Sequence, residues 1–153
     1  MVGVDLCRVE CISEISAMEL IAEIGLDMNQ WKNSKHFAAW LNLAPNTKIT
    51  GGKIISSRMQ KKKNQAGLSL RMAASNLSKT KSQLGDYTRK MRSRVGKKGA
   101  VVVGAHKLSR IIYTMIKNQV EYRPEVLMES QQKWKQQRIM HLEKQLQHLK
   151  TAP

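Results

Sequence analysis

The sequence predicts a mainly α protein: a compact helical domain carrying an irregular glycine and basic loop, followed by an extended C-terminal helix. Two observations predict it. Apolar residues recur at i, i+3 and i+4 along most of the chain, the spacing of a one-sided helix. The periodic stretches are also punctuated by serines at their starts and by Gly or Pro at their ends.

The elements follow in order. In "SAMELIAEIG", Ser16 and Glu19 have capping-box spacing, Leu20, Ile21 and Ile24 form an apolar face, and Gly25 ends the helix. With the turn "CISEIS" and a short helix before it, residues 5–25 read as helix-hairpin-helix-like. The six carboxylates nearby favour an ordinary helical corner over a DNA contact. "SKHFAAWLNLAP" predicts a helix capped by Ser34, with Phe37, Trp40 and Leu41 on one face and Pro45 as the stop. Residues 45–64 show no helical period, and "IISS" offers a short strand beside Gly51 and Gly52. A helical core spans 65–120. Leu70, Ala73, Ala74 and Leu77 form its first stripe, which Gly85 closes, and a basic helix then runs over 86–95 to Gly96. The most apolar helix follows, with Val101, Ala105, Leu108, Ile112 and Met115 facing inward. Its length favours helix over a buried valine strand. "YRPE" divides a domain of residues 1–123 from a helical extension of residues 124–153. In the extension Ile139, Leu142, Leu146 and Leu149 make a heptad seam of under two heptads. Such a seam suits packing onto the domain or pairing with a second chain.

Composition narrows the partners. The net charge is +16 over 153 residues, which favours a polyanion. Residues 1–27 hold six acids and one base, whereas residues 28–120 hold twenty bases and one acid, Asp86. That middle segment cannot neutralise itself, so its field faces something outside the chain. Cys7 and Cys11 form neither a CxxC pair nor a disulfide framework, which fits a reducing cytosol. No histidine stands at ligand spacing with them, so no metal site is expected in this chain. The start lacks a signal peptide, and "GAVVVGA" is too short to span a bilayer, so no membrane is expected.

The stretch "KITGGKIISSRMQKKKNQ" concentrates the chemistry. Gly51 and Gly52 let a backbone come close to a phosphate, and their amides could serve as oxyanion donors. Lys48, Lys53, Arg58, Lys61, Lys62, Lys63 and Arg71 supply positive charge, with Arg58 and Arg71 suited to bidentate phosphate contacts. Thr50 carries a hydroxyl beside the glycine pair. It is either a nucleophile or a local turn residue. A nucleophile needs a base, and no acid lies between Asp27 and Asp86. Trp31 and Trp40 are candidates for base stacking, although Trp40 lies on an apolar stripe and reads as core.

The order of the motifs is more specific than any one of them. "GVDL", "ISEISAMELIAEIGLDM", "KHFAAWLNLAPNTKITGGK", "LRMAASNL", "LGDYTRKMRSRVGKKGA" and "AHKLSRIIYTMI" succeed one another over residues 2–123. The set resembles the C-terminal domain of the IS-one-ten family of insertion-sequence transposases. The resemblance implies a preceding RuvC-like domain with acidic ligands for a divalent metal, and none of that domain is expected in this sequence. It also implies a nucleophile in a SerGlyGly motif, whose place is taken here by Thr50. The implied activity is DNA transposition: strand cleavage and rejoining through a covalent protein–DNA link, with this half inactive alone. The implied partners are DNA of the element ends and target, a guide RNA, and further copies of the chain, in the bacterial cytoplasm at the nucleoid. The other expectation from the same residues is a truncated remnant that holds nucleic acid by charge alone.

Overall fold

The computed structural model describes residues 3–57, 59 and 64–151; within the last helix, side chains at 126–131, 133–135 and 148–151 are outside the description. The chain divides after Tyr122 into two units. The first contains helices α1 (Glu14–Ile24), α2 (Ser34–Trp40), α3 (Gln65–Leu77) and α4 (Gln83–Asn118), with a β-hairpin of β1 (Lys48–Thr50) and β2 (Lys53–Ser56) between α2 and α3. The second is the helix α5 (Pro124–Thr151). The protein is mainly α, as its periodicity predicts, and the valine run lies within α4.

Helix ends follow side-chain oxygens, in two places not the ones expected. α1 starts at Glu14 because Ser13, not Ser16, accepts the amide of the third helical residue. Asn33, not Ser34, caps α2, accepting from Lys35 and His36. Gly25 does end α1, at φ 73°. Gly85 does not close the third helix. α3 stops at Leu77, Ser82 caps α4 by accepting from the Gly85 amide, and Gly85 lies inside the first turn of α4. A Cβ there would crowd the carbonyl oxygens of Thr80 and Leu77, so the glycine serves close approach.

The core is the α3–α4 contact. Leu70, Ala74 and Leu77 from α3 and Ala105, Leu108 and Ile112 from α4 are fully buried. α4 itself is two limbs. Gly96, at φ 75° and ψ 174°, breaks the helix, and the chain folds back on itself. Thr88 and Gly104 would stand about 24 Å apart on a straight helix at 1.5 Å per residue. Instead, a Cβ on Gly104 would sit 3.5 Å from Thr88 Oγ1 and 3.3 Å from the Ala74 methyl. Small residues let both limbs and α3 meet there.

The N-terminal carboxylates are largely spent on this frame. Glu23 accepts from the first two amides of α3, at 3.2 Å from Gln65 and 2.6 Å from Ala66. There it also meets the positive end of the helix dipole. Glu19 accepts from Ser69, and Glu10 from the Tyr122 hydroxyl. Asp5 caps the single 3₁₀ turn Leu6–Arg8 that precedes α1. A buried aromatic group completes the unit: Trp31 packs edge-on to Phe37 at 4.9 Å, and the Tyr113 hydroxyl donates to the Trp31 carbonyl at 3.0 Å. Trp31 is buried while Trp40 is 38% exposed, the reverse of the core assignment made from the apolar stripe. In α5, Ile139, Leu142 and Leu146 are exposed; Leu149 is among the side chains outside the description.

Candidate nucleic-acid interface

The glycine and basic stretch folds as a two-stranded antiparallel hairpin, so the strand expected at "IISS" extends back over Lys53 and pairs with "KIT". Gly51 and Gly52 make the two-residue turn, at φ 55° and 75°. Positive φ at both central positions is the primed geometry that matches strand twist, and glycine adopts it without strain. The register pairs Thr50 with Lys53 and Ile49 with Ile54. A bulge then leaves Ile55 without a partner, so that Lys48 pairs with Ser56.

Cross-strand partners share a face of a sheet, and neighbours along a strand alternate. One face of the hairpin therefore carries Lys48, Thr50, Lys53 and Ser56. The other carries Ile49 and Ile54. Thr50 is exposed, and its side chain makes no hydrogen bond among the described residues. Among the described residues nothing lies within 4 Å of the Cβ positions of Gly51 and Gly52.

The other predicted contacts divide. Arg58, Lys61, Lys62 and Lys63 lie outside the described residues. Arg71 is half-buried, and its guanidinium donates to the Asn42 carbonyl at 2.7 Å, which holds the segment after α2. Part of that fork is thus committed to the fold rather than offered to a phosphate. The Trp40 ring packs against Trp31 at 5.1 Å and lies parallel to Phe37, and its carbonyl accepts from Asn64 at the start of α3.

The basic helix was legible in the sequence, but its residues were not among the predicted contacts. On the first limb of α4, Leu84 and Thr88 are buried, while Lys90, Arg92 and Arg94 are exposed; Lys97 and Lys98 follow just past the break. Among the described residues none of these five cations has a carboxylate within ion-pairing distance, whereas Arg89 is paired with Asp86 and bonded to the Ser78 and Thr80 carbonyls. The excess of bases over acids in residues 28–120 is the signal that points to them. Farther along, burial and then Arg110 lower the pKa of Lys107, whose ammonium lies 6.0 Å from the Tyr87 ring centre. That cation serves the contact between the limbs.

These unpaired charges predict how binding responds to salt. Each phosphate neutralised on duplex DNA contributes about 0.9 to the slope of log affinity against log salt. Replacing Lys48 and Lys53 by Ala should shallow the slope by about 2, and replacing Lys97 and Lys98 by about 2 more. Fluorescence anisotropy on one duplex across a salt series measures both.

The family model described as "Transposase IS116/IS110/IS902 family" matches residues 5–89, more than half of the chain. The chain belongs to this transposase family. The match takes in α1, α2, the whole hairpin, α3 and the start of α4. No curated protein and no solved structure matches the chain. Membership in a transposase family makes DNA the general partner. Among the described residues no helix is long and apolar enough to cross a membrane, and no group of three or more His, Cys, Asp or Glu is placed to hold a metal ion.

Proposed function

We propose that this chain is the hydroxyl-bearing C-terminal half of an insertion-sequence transposase, and that Thr50 is its nucleophile on DNA. The observation that carries the reading is the placement of Thr50. An unbonded hydroxyl stands beside a two-glycine turn, on the same hairpin face as two lysines.

The chemistry balances within the strand. The Thr50 hydroxyl gives up its proton to a base, and Oγ1 attacks the phosphorus. An Oγ1–P bond forms as the bond from phosphorus to a sugar oxygen breaks, and that oxygen leaves with a proton. Attack by a second strand's hydroxyl on the protein–DNA phosphodiester then releases Thr50 and rejoins DNA. The number of phosphodiesters is conserved throughout. Lys48, Lys53 and the turn amides would offset charge developing on the phosphate oxygens.

The base and the divalent metal of the reaction belong, in this reading, to a RuvC-like half. The described residues here do not fit a metal: they hold one acid between residues 28 and 120, Asp86, and it is paired with Arg89. The guide RNA and assembly with further copies belong to the same proposal.

The test combines the chain with a RuvC-like half from a family member, element-end DNA and guide RNA. The expected result is a covalent protein–DNA adduct, stable to denaturing electrophoresis, that disappears in Thr50→Ala. An adduct that persists in that variant moves the nucleophile elsewhere. Salt-dependent binding with no adduct in either protein would leave the electrostatic, non-catalytic reading.

A further inference from the structure

The hairpin has a second face that strand chemistry at Thr50 does not use. Ile49 and Ile54 are 63% and 67% exposed. No residue of either strand is buried. A lone two-stranded hairpin is marginal in water, and an exposed pair of large aliphatics does nothing for solubility. The register keeps these side chains apart from the polar ones. Without the bulge Ile55 would pair with Lys48; with it Ser56 does, and the hydroxyl and ammonium groups stay together on the other face.

We infer that the Ile49–Ile54 face is a wedge that enters duplex DNA and unstacks a base step. It rests on the proposed function only in placing that step beside the phosphate that Thr50 addresses. Charge selects the occupant. Lys48 and Lys53 stand on the opposite face of the same two short strands, and between Asp27 and Asp86 there is no acid to balance them. A second copy of this hairpin would bring like charges together, whereas DNA offers phosphates to the lysines and an apolar stack to the isoleucines. A two-stranded ribbon fits the major groove, and apolar side chains inserted at base steps are an established way to kink a duplex. Pyrimidine–purine steps yield most easily, so the wedge should act there first.

The test uses the full chain and a duplex with 2-aminopurine at a single TA step, beside the same duplex mismatched at that step. Binding is expected to raise 2-aminopurine fluorescence severalfold. The mismatched duplex should bind about tenfold tighter, because its unstacking is already partly done. Ile49→Ala/Ile54→Ala should lose the fluorescence rise and bring the two duplexes within about twofold, with the salt slope kept. Ile49→Thr/Ile54→Thr retains β-branched strand formers and should behave the same, which separates loss of the wedge from loss of the hairpin. Thr50→Ala should leave both signals intact, so failed strand chemistry and a failed wedge are told apart. Wild-type binding without a fluorescence change overturns the inference. So does an unchanged response in the isoleucine variants, or a variant effect confined to self-association in sedimentation. Absence of any duplex binding would remove the proposed function as well.

Discussion

Thr50→Ser is expected to increase covalent adduct formation by on the order of tenfold, equivalent to about 1.4 kcal/mol off the barrier. The two side chains share the reacting oxygen and differ by one methyl on the carbon that bears it. That methyl stiffens the rotamer and crowds the line along which the oxygen approaches phosphorus. Thr50 is exposed at the end of β1, and its side chain has no hydrogen-bond partner among the described residues, so the exchange should leave the fold untouched. The rate of adduct accumulation in the reconstituted system, with total DNA binding measured in parallel, is the readout. Equal binding with faster adduct formation places the effect in the chemical step. A slower serine variant would mean that the threonine methyl holds the hydroxyl in its reactive orientation. No adduct from either residue would remove this position from the chemistry.

Gly67→Ala should destabilise the domain by about 2–3 kcal/mol, although alanine is the better helix former by about 1 kcal/mol. Gly67 is the third residue of α3 and buried. A Cβ there would overlap the Leu41 carbonyl oxygen, a backbone atom that cannot turn aside as a side chain can. Its amide is also held by the Asn64 cap at 2.7 Å, so moving the helix away costs the cap as well. Thermal unfolding followed by far-ultraviolet circular dichroism should show a midpoint lower by roughly 10 °C. Gly104→Ala is the comparison. Its nearest neighbour would be the Ala74 methyl at 3.3 Å, so the change should stay within about 1 kcal/mol of wild type. A more stable Gly67→Ala protein would show that helix propensity outweighs the contact.

Gly67 and Gly85 show why part of the fold was not legible. Both lie in the first turn of a helix, and local rules read a glycine near a periodic stretch as a weakness or a stop. Their use depends on carbonyls brought close by the chain path, at Leu41 and Thr80. The caps went wrong by one and three positions for a related reason. Serines and asparagines crowd these turns, and which one accepts an amide is decided by where the chain enters. Trp31 lies ahead of α2, outside the stripe that carries Trp40, and it is buried by contacts with Phe37 and with Tyr113 of α4 that a stripe on α2 does not record.

Local chemistry alone was enough for several features. The i, i+3, i+4 spacing made the chain helical. Two successive glycines between β-capable residues made a primed turn. Gly96 ended the basic limb, and a run of twenty bases against one acid called for a polyanion. Each depends on contacts a few residues apart, or on a sum that no folding changes. The same glycine turn sets the register that puts Thr50 with the lysines on one side of the hairpin and Ile49 with Ile54 on the other. The tertiary fold alone decided that carboxylates such as Glu19 and Glu23 would be spent on packing while cations near Gly96 stayed unpaired. That outcome depends on distances between segments far apart along the chain, which spacing in a sequence does not encode.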